Sequence, residues 1–409
     1  MNPESLKYLL LGVVVFGFLL GKILSYLNVK RPVPPIPRTL EGHLDAEKLL
    51  QSKAYQTENY RFGLVSGLIS FALSVLMIWY GWFGAIDLWV GTWTANPMLH
   101  SLLFFAVIFI ASDIISLPFD YYSTFVIEEK YGFNKTSIGT FFMDKAKGYV
   151  LLILIGGALL GLFLWLIQWM GKDFWWVFWI VAALFMVVVN VFYTSWILPL
   201  FNKLSPLEDG ALKDKILAYA QSVAFPLDNI FVMDGSKRSA KANAFFSGFG
   251  KRKKVVLYDT LVEQHSDEEL LAVLAHEVGH FKKKHILLGL VISVVQTGLM
   301  LFLLAQFVFS ESLSLALGGA EWSVQLNLIA FGMLFSPIST VLGVAMNWLS
   351  RKNEFEADAY AKDTFAGAPL AAALKTLSVK TLSNINPHPW YVFVNYSHPP
   401  LLQRLERLE

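Results

Sequence analysis

The sequence predicts a mainly α-helical, polytopic membrane fold, and three observations carry that reading. Of 409 residues, 55% are hydrophobic and only 16% are charged. Seven apolar runs, near 8–27, 64–82, 99–118, 149–170, 174–199, 286–308 and 325–349, each approach the roughly 20 residues that cross a bilayer as a helix. The charges are also sorted. Of the 33 Lys and Arg, 30 lie in 28–63, 119–148, 200–285 and 350–409, whereas 1–7, 83–98, 171–173 and 309–324 hold only Lys7 and Lys172. Positive loops stay in the cytoplasm, so the N-terminus is expected outside and the C-terminus inside. One span more or fewer would scramble that alternation.

The first run is read as a retained span, because only Lys7 precedes it and no small-x-small cleavage site follows. The expected organisation is an N-terminal membrane domain over 1–199 with five spans, and a second domain over 200–409 with spans six and seven. A net charge of +2 makes no case for nucleic acid as a partner. Without cysteine, disulfides and thiolate metal ligands are excluded, which leaves His, Glu and Asp. No internal repeat of the kind that builds many transporters is visible.

The second domain contains LAVLAHEVGH, residues 271–280. On a helix His276 and His280 share one face, one turn apart, and can grip one Zn2+ while Glu277 reaches a water on it. Catalytic zinc needs a third protein ligand and an open fourth position. After span seven, RKNEFEADAYAKD (351–363) places Glu354 and Asp358 four apart on one face; Glu354 is the expected third ligand. Asp358 is suited to accept a hydrogen bond from a ligating imidazole and fix its tautomer. Spans six and seven return the chain to the same side, so the topology permits the site. Glu356 is the alternative ligand, but two residues turn a helix by about 200°, away from Asp358.

Ser266 and Glu269 have capping-box spacing, acidic residues crowd the first turn of the motif helix, and Lys282–Lys284 crowd its last. KKVVLYDTL before it is expected as a strand, with ANAFFSGFG as hairpin partner. An edge strand there could pair with extended peptide, which makes Asn243 and Ala244 substrate-binding candidates. KRKK (251–254) reads as a solvated turn near anionic lipid. His285 reads as a solvated interfacial residue, and His43, His100, His265 and His388 as surface or loop histidines. Lys22, Asp113, Asn190, Gln296 and Asn347 lie within spans and should face the bundle interior, a watery cavity, or one another's helices.

HEVGH, two spans, then EFEAD resembles the type I CaaX prenyl endopeptidases, seven-span zinc metalloproteases related to the HtpX-type membrane proteases. FVIEEKYGFNKTS (125–137), DGSKRSAKANAFFSGFGKRKKVVLYDTL (234–261) and NYSHPPLLQRLERL (395–408) are similar to further family segments in the same order. The resemblance implies a cytoplasm-facing, zincin-like site, a water-filled chamber within the helices, a role for Asn243 in holding peptide, and Arg404 near the substrate end. The expected chemistry is attack by zinc-activated water on a peptide carbonyl, with Glu277 as general base and His398 as oxyanion partner. The expected partners are a peptide or protein substrate, prenylated in the family's eukaryotic role, and the lipid bilayer of a bacterial inner membrane or a eukaryotic endomembrane. Two alternatives stay open: a quality-control protease with no prenyl requirement, and a transporter or channel with structural zinc.

Overall fold

A computed structural model describes residues 1–247 and 253–409. The turn of the expected hairpin, with Lys251 and Arg252, lies outside the described residues.

Among these, six helices are long and apolar enough to cross a membrane, and one of them holds two spans. α1 (Pro3–Lys30) and α2 (Ala46–Trp79) are the first two, α3 (Trp82–Gly91) is a short connector, and α4 (Pro97–Tyr122) is the third span. The 64-residue stretch Ile138–Phe201 rises as α5 (Ile138–Leu151) and α6 (Gly157–Met170). It turns back at Gly171, whose φ of 57° a side chain would resist, and continues as α7 (Phe174–Phe192) and α8 (Leu198–Phe201). The polar end then begins: β1 (Leu204–Pro206), α9 (Ala211–Ser222), β2 (Leu227–Met233), β3 (Ala244–Ser247), β4 (Lys253–Tyr258), α10 (Asp259–Gln264) and α11 (Asp267–Lys282). α12 (His285–Phe307) and α14 (Val324–Thr364) are the last two spans, joined by α13 (Glu311–Ala316). α15 (Gly367–Lys380), α16 (Pro389–Asn395) and α17 (Leu401–Leu408) close the chain. Seven spans thus occur where seven apolar runs predict them.

Helix contacts run in a closed circuit. α14 packs on α1, α1 on α2, α4 on α6, α6 on α7, α7 on α12, and α12 on α14. α2 meets α4 where the Phe62 ring stacks on Tyr122, with centroids 5.4 Å apart, and tilts against Phe119. Polar groups inside the spans bond helix to helix at three of the five positions. Lys22 Nζ donates to the Gly63 carbonyl (2.5 Å), Tyr149 and Lys145 reach Asp113 at 2.5 and 3.1 Å, and Asn347 Nδ2 donates to the Val394 carbonyl at 2.7 Å.

The sheet has the order β1-β2-β4-β3. β3 and β4 pair antiparallel, as expected of the hairpin, and β3 is an edge strand. β2 lies parallel to β4, and neither it nor the three-residue β1 was expected. LDNIFVM is short and can be read as strand or buried turn until a neighbour pairs with it.

α11 packs between this sheet and the α14–α15–α17 layer. Leu270, Leu274 and Val278 are buried with Leu257, Ile216, Ala361, Leu370 and Leu405 in one core. Its capping box forms in full: Ser266 accepts from the Glu269 backbone N–H, and the Glu269 side chain accepts from the Ser266 backbone N–H. Such a cap contributes about 1 kcal/mol.

Several expectations for single residues give way to packing. Lys253 is not in a solvated turn. It lies on β4, 9% exposed, with its ammonium 4.8 Å from the centroid of the Phe281 ring. His100 is not a surface residue: its Nε2 stands 3.0 Å from Asp87, which also accepts from Gln325, and Ser101 donates to Gln325. His265 is buried beside Glu269. His43 is exposed, and His388 caps α16 by accepting from the Trp390 N–H.

Candidate metal centre and active site

Two helices build the centre. α11 carries His276 and His280 one turn apart, and α14 carries Glu354 and Asp358 one turn apart. α14 is one continuous 41-residue helix, so the polar stretch after span seven is that span prolonged beyond its apolar part. α11 and α14 approach closely at Gly279 within HEVGH. A Cβ there would stand 3.0 Å from the Ala357 Cα and 3.1 Å from its carbonyl oxygen, so glycine lets the two ligand-bearing faces meet.

At the crossing, Nε2 of His276 and Nε2 of His280 are 3.2 Å apart. Glu354 Oε1 lies 3.2 Å from His280 Nε2, and Oε2 lies 3.5 Å from His276 Nε2. One ligand atom from each of the three residues falls within 4.8 Å of the others. Glu354 is buried, and its Oε2 accepts no hydrogen bond among the described residues. Leaving a buried carboxylate oxygen without a donor costs roughly 1–3 kcal/mol or more, which a cation at the centre removes. Two imidazole nitrogens and one carboxylate suit a metal such as zinc, so the residues fit the ion their spacing implies.

Further partners surround these three. Asp358, only 1% exposed, accepts from His276 Nδ1 at 2.9 Å, and this leaves Nε2 as the lone-pair nitrogen facing the cluster. Arg404 of α17 grips Asp358 with two parallel bonds, Nε to Oδ2 at 2.8 Å and Nη2 to Oδ1 at 2.6 Å. Arg404 was expected near the substrate end. It is 8% exposed, with Nη1 3.4 Å from Glu354 Oε2, and its forked guanidinium is engaged by a buried carboxylate. Burial opposes charge on His276, but its bond to Asp358 and the neighbouring Glu354 carboxylate lift its pKa to about 9. The cluster therefore favours positive charge at its centre.

Glu277, next to His276 on α11, is half-buried, and burial raises its carboxyl above the ordinary range. His398 precedes α17 with its side chain 65% exposed and its Nε2 3.4 Å from Glu354 Oε1. Asn243 and Ala244 stand at the start of edge strand β3. The Asn243 carbonyl accepts from the Tyr258 N–H, and its side chain accepts from the Ala244 N–H.

One residue was misjudged from sequence, and a second, Glu356, has a partner that sequence did not reveal. His285 is 7% exposed rather than solvated, with its Nδ1 3.1 Å from His280 Nδ1. Glu356 is directed away from the cluster, as its place on the helix requires, and its Oε2 lies 3.2 Å from His285 Nε2. The available signal was two more potential acceptors, five residues after His280 and two after Glu354. Only the break between α11 and α12, where Lys284 adopts φ 60°, folds His285 back against His280.

A helical bundle of membrane spans carrying a His–His–carboxylate centre with a free glutamate beside it is a membrane-embedded metallopeptidase. Residues 25–203 match the family model "CAAX prenyl protease N-terminal, five membrane helices", and residues 206–409 match "Peptidase family M48". The chain is 37% identical to a CAAX prenyl protease 1 homolog of Oryza sativa subsp. japonica, over 97% of this chain and 96% of that one. It is 34% identical to CAAX prenyl protease 1 of Saccharomyces cerevisiae, over 98% and 95%. The crystal structure of S. mikatae Ste24p superposes with a TM-score of 0.94 at 33% identity, covering 99% of both chains. The chain belongs to peptidase family M48, with the N-terminal membrane domain of the CAAX prenyl proteases.

Proposed function

We propose that this chain is a zinc endopeptidase that removes C-terminal residues from prenylated proteins or peptides. The observation that carries it is the convergence of His276, His280 and Glu354 on one point, with Glu277 beside them and unused as a ligand. The prenylated substrate is supported by the rice and yeast relatives, which are named CAAX prenyl proteases.

His276, His280 and Glu354 would hold the ion. Bound there, zinc supplies Lewis acidity and brings a water's pKa toward about 7. Glu277, whose carboxyl burial makes more basic, takes a proton from the attacking water and returns it to the leaving amine. Asp358, gripped by Arg404, keeps the His276 proton on Nδ1. Asn243 and Ala244 stand at the sheet edge along which an extended peptide would lie, with the Asn243 side chain exposed toward it. His398, exposed beside Glu354, is placed to meet the substrate and donate to the oxyanion. His398→Ala is therefore expected to lower kcat by about 10²–10³-fold with zinc content unchanged. An unaltered kcat in steady-state assays removes it from the mechanism.

A boundary near 199/200 is supported by the two family models, which meet between 203 and 206. A cytoplasmic active site with the N-terminus outside is supported by the charge partition between loops. A chamber between the spans is supported by their closed circuit of contacts together with low burial, 6–22% of each apolar window.

The deciding experiment compares cleavage of a prenylated CaaX peptide with its unprenylated form by the purified enzyme in detergent. A higher kcat/KM for the lipidated peptide, by tenfold or more, which corresponds to about 1.4 kcal/mol of transition-state discrimination, is the expected result. Equal values favour general proteolysis of membrane proteins over trimming.

A further inference from the structure

His285 and Glu356 belong to neither the ligand set nor the Asp358–Arg404 pair. His280 must present Nε2 to the metal, since that is the nitrogen facing His276 Nε2 and Glu354. Its proton then resides on Nδ1, and a buried N–H requires an acceptor. For His276 the acceptor is Asp358. For His280 no carboxylate among the described residues stands at Nδ1; the atom there is Nδ1 of His285, at 3.1 Å. To accept, His285 must carry its own proton on Nε2, and Nε2 is the atom 3.2 Å from Glu356 Oε2. The chain of bonds is consistent in one direction only, His280 to His285 to Glu356. Glu356 also has Lys352 at 3.7 Å and is 39% exposed, so its charge is partly solvated, whereas the imidazoles of His280 and His285 are 18% and 6% exposed.

We propose that His285 and Glu356 are positioning residues that hold His280 in the tautomer and orientation that bind the metal. The Asp358–Arg404 pair does this directly for His276, and the second histidine is served through an imidazole relay. α12 begins at His285, so the relay also ties the centre to the sixth span.

The test is zinc affinity, measured on full-length protein in detergent by competition with a chelator, alongside the thermal midpoint of the metal-free protein. His285→Leu keeps bulk but offers no acceptor and is expected to weaken zinc binding about 10–100-fold. His285→Gln presents an oxygen to His280 and an N–H to Glu356, and should stay within about threefold of wild type on the same scale. Glu356→Ala should fall between them, and excess zinc should restore most of kcat with KM unchanged. If His285→Leu does not fold, Glu356→Ala carries the test, since its half-exposed side chain can be removed without opening the core. Zinc affinity within twofold of wild type in both His285→Leu and Glu356→Ala overturns the relay, as does equal weakening by His285→Leu and His285→Gln, which would mean packing rather than hydrogen bonding. The inference rests on His280 being a ligand. Zinc retained by His280→Ala sinks that reading, whereas zinc lost by His280→Ala but kept by His285→Leu sinks the relay alone.

Discussion

Glu277→Gln is expected to abolish peptide hydrolysis to within detection, a loss of at least about 10²–10⁴-fold, the range for removing a general acid–base group, while zinc content stays at one per chain. The substitution preserves shape and leaves His276, His280 and Glu354 untouched, so metal binding has no reason to change. Glutamine cannot take a proton from water or return one to the departing amine, and no other described carboxylate is placed to substitute: Glu354 faces the two imidazoles and Asp358 is held by Arg404. Metal analysis beside a single-turnover assay checks both halves. Full proteolysis by a zinc-loaded Glu277→Gln enzyme would end the mechanism and reopen a structural role for the ion in a transporter or channel.

The second large effect is expected from Glu354→Ala, which should lose zinc by more than the roughly 10–100-fold that follows removal of an outer hydrogen-bond partner, and activity with it. The fold should survive. Arg404 keeps its two bonds to Asp358, His276 keeps its own, and α14 is anchored along its length by α1, α12 and α15. Glu356→Ala, two residues away, removes only the far end of the relay through His285 and should cost far less than loss of Glu354 itself. Unchanged zinc occupancy in Glu354→Ala, with normal activity, would remove Glu354 from the ligand set.

Much of this molecule is legible in its sequence because the bilayer simplifies the code. A spanning segment must satisfy its backbone internally and present apolar side chains, so length and hydropathy alone mark it. The 3.6-residue period then places His276 with His280, and Glu354 with Asp358, without any tertiary knowledge. Where such local rules run out, the reading failed. His285, His100 and Lys253 look like interfacial or surface residues by type and neighbours. Each is drawn from solvent, His285 and Lys253 fully and His100 in part, because another segment comes to meet it: His280 and Glu356 in the first case, Asp87 and Gln325 in the second, Phe281 in the third. Likewise β2 gains its identity only when β4 pairs with it.

The sequence by itself determined the seven spans, the shared helical faces of each ligand pair and the sorting of positive charge, since these depend on periodicity and on transfer into lipid, which act within a single segment. Tertiary structure alone decided that α11 and α14 cross at Gly279 so that the pairs meet, that Arg404 is spent on Asp358, and that His285 backs His280. The first two outcomes depend on contacts between segments far apart in the chain and the third on the break between α11 and α12; all are set by close packing of helices whose relative placement no local pattern encodes.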